Sequence, residues 1–515
     1  MAAPGYLSSS YNRRLRFRLL KPVLRAYALS YLSYVTPKIF ARAKQPSQRG
    51  WTIRQKIEEI LRILLKSLRV DSFPTFCAIV VGGSTVSPVL LQRICVLALG
   101  DQSKSASHIT RRMRSFIQFS TALLAAYLGF GLLNKNRTIS RAEAEAHLTA
   151  KYGTLDRESG SAAAPPLPDL AGRTMDLTIF SAVRAADVLA CMAWNHWARR
   201  RKAQNRWTRV EELFPGLADA GVFAMSAAVV MWAWFYLPKR LPRTYEKWIG
   251  EVAKVDMRLI EALRRARRGI FIYGRDTGQA PLLMSMCRDF GWPEQWGDPA
   301  KTAPIPCEMV HMGCGPNCEI HALTRFFKTF KVACTTYVPL QIVFRLQKIK
   351  DPAVLRRAVL EGARSSAFLA AFVGIFYYAV CLARTRLGPK MFDEKTVTPQ
   401  MWDSGLCVGA GCLLCGWSVL VEQPRKRQEL ALFVAPRAAA TVLPRLYDKK
   451  FSEGNRMFIH RSSQMLTIFF SLLPQFQYRE RIAFAISAAI LITTLRDRPR
   501  LVRGVFGKIA ARVLN

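Results

Sequence analysis

Apolar residues in this chain run in long blocks. A membrane-spanning helix needs about 20 mostly apolar residues, and blocks of that order lie at 73–99, 116–133, 177–198, 217–237, 329–346, 365–383, 404–421, 429–446 and 464–495. The first is broken by Gly82-Gly83 and Pro88, the last by "PQFQYRER". The fourth closes on "MWAWFYLPK", whose aromatic rings suit a membrane–water interface. Soluble cores contain apolar stretches of about 10–14 residues, and several blocks here are longer. The pattern predicts an all-α fold: a polytopic helical membrane protein with about six to nine spans.

Two stretches follow a different rhythm. Over 51–68, Trp51, Ile57, Ile60, Leu61, Leu64, Leu65 and Leu68 recur at helical spacing with basic residues between them, and over 246–268 Trp248, Val252, Val255, Leu259, Ile260 and Leu263 do the same. Amphipathic helices with Arg-rich polar faces and a Trp suit the plane of a membrane interface. The alternative is an ordinary helix packed on a loop domain. Basic runs at 111–114, 199–202, 264–268 and 425–427 read as anchors at helix ends.

Composition supports the membrane reading. Of 515 residues, 50% are hydrophobic while 22% are charged, so charges and apolar residues are segregated. Lys and Arg number 76 against 35 Asp and Glu, a net charge of +41. Such an excess points to nucleic acid or to anionic membrane lipids. No zinc-finger spacing, RNP-like stretch or basic heptad array is present, so lipid is the expected partner and nucleic acid is not. Residues 1–57 carry twelve Lys/Arg before the first acid, Glu58. That composition suits either a mitochondrial presequence or a basic arm held by anionic lipid.

The chain carries an internal echo. "DLTIFSAVRAADVL" (176–189) and "ELALFVAPRAAATV" (429–442) align without a gap, and "RSFIQFSTALLAAYLGF" at 114 pairs with "RSSAFLAAFVGIFYY" at 364. Matches in one order predict two related halves, as in many transporters. The expected organisation is a basic arm with an amphipathic helix (1–69), a first membrane half (70–240, with a linker at 153–172), an amphipathic and Cys/His-rich connection (241–324), a second half (325–495) and a basic tail (496–515). The echo places Arg184 opposite Arg437. An arginine in an apolar helix faces an interior, a cavity or a partner, or else snorkels to headgroups. Asp187 lies one turn from Arg184 and could pair with it, and Glu422 could meet Arg437 or the 425–427 cluster.

Chemistry concentrates at "PCEMVHMGCGPNCEIH" (306–321), where Cys307, His311, Cys314, Cys318 and His321 offer five nitrogen or sulfur ligands. Zinc takes four in a tetrahedron. Structural zinc sites usually join ligand pairs 12 or more residues apart, which this compact run does not do. The stretch therefore reads three ways: a packed turn, a disulfide, or a zinc site. The packed turn is preferred here, so no cofactor is expected. Of the twelve cysteines, Cys77, Cys95, Cys191, Cys381, Cys407, Cys412 and Cys415 fall in apolar runs, where Cys acts as a small hydrophobe. No nucleophile–base constellation, phosphate loop or dinucleotide fingerprint is present, and an enzyme is not expected.

Three stretches together, "PCEMVHMGCGPNCEIHALTRFFKTFKVACTTYVPL" (306–340), "EGARSSAFLAAFVGIFYYAVC" (361–381) and "GAGCLLCGWSVLVEQPRKRQELALFVAPRA" (409–438), resemble the transmembrane protein 135 family, its fungal members especially. The positions that carry the resemblance are Cys307, His311, Cys314 or Cys318, Pro339, Arg364, Glu422, Pro436 and Arg437; Met312 departs from it, standing where proline is expected. The resemblance implies a multi-pass protein of an intracellular organelle membrane, the peroxisome in preference to the mitochondrion. The implied role is in lipid, sterol or metabolite handling and in organelle homeostasis, with a scaffold or organelle-dynamics factor as the alternative. A distant similarity to inner-membrane translocase proteins goes with it. Arg184, Asp187, Arg364, Glu422 and Arg437 complete the set of intramembrane polar candidates.

Overall fold

The structure, a computed structural model, describes residues 5–44, 53–70, 72–98, 111–134, 171–241, 243–346, 351–393, 395–443 and 476–514. The expected linker at 153–172 lies almost wholly outside them, as does 464–475. In chain order the principal helices are α1 (Gly5–Lys44), α2 (Ile53–Ser67), α3 (Phe73–Ala98), α4 (Arg111–Asn134), α5 (Ala171–Ala203), α6 (Arg209–Tyr236), α7 (Arg243–Ala253), α8 (Met257–Arg267), α9 (Ala280–Phe290), α10 (Cys307–His311), α11 (Cys318–Val343), α12 (Pro352–Cys381), α13 (Cys407–Cys415), α14 (Pro424–Val442), α15 (Phe476–Asp497) and α16 (Gly504–Leu514). No strand occurs among the described residues. Among the described residues, six helical runs are long and apolar enough to cross a membrane: Phe73–Leu91, Met113–Asn134, Thr174–Ala203, Arg209–Tyr236, Pro352–Arg386 and Pro399–Val421. The chain is an all-α polytopic helical membrane protein. Of the other expected spans, 329–346 falls in α11, which carries Arg325, Lys328 and Lys331, and 429–446 in α14, which carries five charged residues (Arg425, Lys426, Arg427, Glu429 and Arg437). Neither is among the six runs.

The chain folds as two compact units, one of residues 1–142, 164–207 and 455–515, the other of 143–163 and 208–454. In the first unit α1 packs on α3. Phe76, Phe130 and Phe484 form the centre of a core, with the Phe130 and Phe484 rings stacked at 4.8 Å. Stacked aromatic pairs add about 0.5–1.5 kcal/mol beyond the area they bury. The apolar stripe of α2 points largely outward: Ile57, Leu61 and Leu65 are exposed, as is Leu68 just beyond its end, while Leu64 is half-buried. That is the arrangement expected of a helix lying in an interface.

In the second unit α6 packs on α14 and α13, and α11 packs along α12. Local sequence sets the ends of these helices. Pro352 opens α12 behind an Asp351 side chain that accepts from the Ala353 amide. The Asn317 side chain accepts from both Glu319 and Ile320 amides at the start of α11. Pro238 follows directly on α6 and Leu237. Trp234, Phe235, Phe376, Tyr377, Cys412 and Cys415 are buried together, with Phe235 stacked on Phe376 at 5.4 Å.

The segment 246–268, expected as one amphipathic helix in the interface, is instead two packed helices. Lys254 adopts a left-handed backbone, and Asp256 caps α8 by accepting from the Arg258 amide at 2.8 Å. Ile249, Leu259 and Ile260 are buried, and only Trp248 of the named stripe is strongly exposed. The packed alternative prevails because a second small core lies beneath it, built from Leu259, Phe271, Leu283, Met286 and Met309.

Asp256 supports a test. Its hydrogen bond from Arg258 holds the carboxyl below the ordinary carboxylate range. A depressed folded value means stability that is present above the unfolded value, about 3.9, and lost as pH falls through the folded one. Asp256→Ala is expected to cost about 1 kcal/mol at neutral pH. Asp256→Asn, which keeps a capping oxygen, should cost less and should flatten the acid limb of a melting-temperature profile. An Asn variant with the wild-type acid limb would remove Asp256 from that role.

Candidate functional site

The Cys/His stretch forms a buried cluster built on a tight turn. Cys307 and His311 stand at opposite ends of α10, four residues apart and hence on one helical face. The chain then reverses through Met312, Gly313 and Gly315, all in the left-handed region. Gly adopts that region without penalty. At Met312, which stands in place of the expected proline, the sulfur accepts from the Asp256 amide at 3.3 Å. The reversal delivers Cys318, the first residue of α11, back to Cys307 and His311. Cys307, His311 and Cys318 offer one ligand atom each, all within 4.8 Å of one another, and this group could hold a metal ion.

Two of the five expected ligands fall outside that group. Cys314 sits on the turn, partly exposed, its amide donating to the His311 carbonyl at 3.3 Å. His321 is fully buried but stacks on the His311 ring, centroids 4.3 Å apart, and meets the Tyr377 ring edge-on at 5.0 Å. Burial, reinforced by His311 and Arg325, pulls His321 down to about 3, so it stays neutral. Burial raises the Cys307 thiol. The expected reading of Cys381 as a plain small hydrophobe needs correction: its Sγ lies 3.3 Å from His311 Nε2 and in contact with the Cys318 thiol. A separation of 70 residues from His311 hid it from a search for local spacing.

Beside the cluster lies a buried ion pair that sequence reading missed. Arg384 meets Asp403 through two contacts, Nε to Oδ1 at 2.7 Å and Nη2 to Oδ2 at 2.9 Å. Arg384 also donates to the Ile305 carbonyl, and the Tyr273 hydroxyl donates to Asp403 Oδ2 while accepting from the Ile305 amide at 3.2 Å. Burial and the Asp403 charge push the Tyr273 hydroxyl up, which keeps its proton in place as a donor. The network ties the segment before Cys307 to residues at the ends of two spans. The only sequence signal was an Arg and an Asp at the borders of apolar runs.

The five intramembrane candidates fare differently. In the first unit Arg184 is buried, donates to the Arg503 carbonyl and lies against the Phe180 and Phe506 rings. Asp187 is paired with Arg503. In the second unit Glu422 is buried and meets Lys426 of the basic cluster at 3.9 Å. Arg437 lies half-buried over the Tyr245 ring. Arg364 on α12 is exposed and faces no interior.

The second unit also carries a half-open cavity of about 530 Å³, within the range of roughly 300–1,000 Å³ usual for small-molecule sites. Its wall comes from α6, α7, α11, α12 and α14 and is made of aliphatic and aromatic side chains, among them Ala227, Trp234, Trp248, Phe372 and Phe433. Tyr245, Tyr337 and Tyr377 are among its polar-tipped members, and among the described residues no charged side chain lines it.

Fold and site together define a multi-pass α-helical membrane protein with an apolar cavity and a thiol–imidazole cluster. No family model, no curated protein and no solved structure matches the chain.

Proposed function

We propose that this protein binds and redistributes an apolar lipid, a sterol or an acyl chain, in an intracellular organelle membrane, the peroxisome in preference to the mitochondrion. The cavity carries this reading. A chamber walled by aliphatic and aromatic groups favours a ligand that leaves water for hydrocarbon, at about 25 cal/mol per Å² buried. Its few Tyr and Trp tips suit a single hydroxyl or carboxyl at one end. The resemblance to the transmembrane protein 135 family points the same way. An alternative, a non-transporting scaffold in organelle dynamics, draws on the exposed apolar stripe of α2, which suits anionic membrane lipids.

Full-length protein in nanodiscs, labelled with a photoreactive sterol and separately with a photoreactive fatty acid, tests the reading. Labelled peptides are expected from 223–255 and 368–376, which contribute to the wall. Ala227→Trp, filling the chamber from a buried wall position, should weaken labelling about tenfold or more, a loss of about 1.4 kcal/mol. Leu213→Trp, at an exposed position away from the cavity, should leave it unchanged. Labelling spread along the spans and indifferent to Ala227→Trp would sink lipid binding and favour the scaffold.

A further inference from the structure

We propose that Cys307, Cys318, Cys381 and His311 form a tetrahedral Cys3His zinc site that closes α10 and the start of α11 onto the end of α12. Four observations carry it. The ligand set is one that zinc takes in structural sites. The ligands come from separate segments: Cys307 and His311 from α10, Cys318 from the first position of α11, Cys381 from the last position of α12. The remote cysteine answers the objection raised by a compact sequence run, since the metal then closes a long loop.

Three of the four ligand atoms already stand together, and Cys381 joins them through its contact with His311. Around zinc, with bonds of about 2.3 Å to sulfur and 2.0–2.1 Å to nitrogen, ligand atoms sit roughly 3.5–3.8 Å apart. Here the His311 nitrogen and Cys381 sulfur are 3.3 Å apart, and the ligand atoms of Cys307, His311 and Cys318 lie within 4.8 Å. The imidazole is already oriented. Nδ1 is 2.7 Å from the Gly315 carbonyl, so it carries the proton, and Nε2 presents its lone pair to the Cys381 sulfur. Metal-bound histidines almost always have such a partner on the far nitrogen. The His321 ring stacked on His311 holds the imidazole plane and is a positioning residue, not a ligand.

The site is closed. His311, Cys318 and Cys381 are buried, and protein atoms fill all four positions, leaving none for water or substrate. It is a structural site by that criterion. Binding takes one zinc ion and releases the three thiol protons, giving a centre of net charge −1. Arg384, whose charge acts on both Cys307 and Cys381, stands beside it.

Full-length protein purified in detergent under reducing conditions, without added metal, is assayed by multi-element mass spectrometry and zinc X-ray absorption. The expected result is one zinc per chain in a shell of three sulfurs and one nitrogen. Cobalt exchanged into the site should show the intense visible bands of a tetrahedral thiolate centre. Cys381→Ser should lower zinc from one per chain to near zero, whereas Cys314→Ser should retain it. The wild-type absorption shell stands even if Cys381→Ser fails to fold. Absence of stoichiometric zinc, another metal in its place, a Cys307–Cys318 disulfide in peptide mapping, or zinc that survives Cys381→Ser but not Cys314→Ser would each overturn the proposal.

Discussion

Replacing Asp403 with Ala is expected to destabilise the second unit by about 3–5 kcal/mol, the usual cost of removing one partner of a buried ion pair. The reason lies in what remains. Arg384 keeps its charge with a side chain only 5% exposed, and Tyr273 loses the acceptor for its hydroxyl. For a unit of this size each kcal/mol shifts the melting temperature by about 2–4 °C, so a fall of roughly 6–20 °C is expected in detergent. Tyr273→Phe, which removes one hydrogen bond and leaves the ion pair, should cost about 1 kcal/mol. The double substitution Arg384→Met/Asp403→Leu should recover most of the loss, since apolar replacement of both partners removes the orphaned charge. An Asp403→Ala protein that melts with wild type would show that the pair does not hold Tyr273 and Ile305 to the spans.

The second large effect is expected at Gly416, where α13 ends against α6. A Cβ built there would lie 2.5 Å from Ala224 Cα and 3.0 Å from the Ala224 carbonyl oxygen. These are backbone atoms of a buried helix and cannot swing away. Gly416→Val should cost at least about 3 kcal/mol, at or beyond the usual range for overpacking, and should lower the yield of monodisperse protein. Gly221 on α6 provides the contrast. Nothing lies within 4 Å of its would-be Cβ, so Gly221→Ala should be neutral or stabilising by up to about 1 kcal/mol. Equal behaviour of the two variants in thermal unfolding and size-exclusion chromatography would refute the packing account.

The run "GLCVGAGC" (405–412) carries the small-residue spacing of close helix approach, and at Gly411 a Cβ would fall 2.8 Å from Phe376. Gly416, just beyond that motif, meets backbone, a distinction no spacing rule expresses. The same division holds at the site. Cys307, His311 and Cys318 were legible as candidate ligands because a short run of Cys and His is conspicuous. Which of five groups converge was not, since the left-handed turn at Met312–Gly315 decides it. Cys314 and His321 were candidate ligands on proximity in sequence alone, and the convergent group contains neither.

By itself the sequence determined the helical spans and the lower bound of their number. Apolarity over about 20 residues is a sum of local transfer free energies and needs no partner. It also determined several helix starts, because the caps Asn317 and Asp351 bond within three residues of themselves. Only the tertiary structure decided that Cys381 joins His311, that Arg384 pairs with Asp403, and that 246–268 turns inward over its own small core. Each depends on contacts between segments far apart in the chain. A residue's type allows many such contacts, and packing selects one.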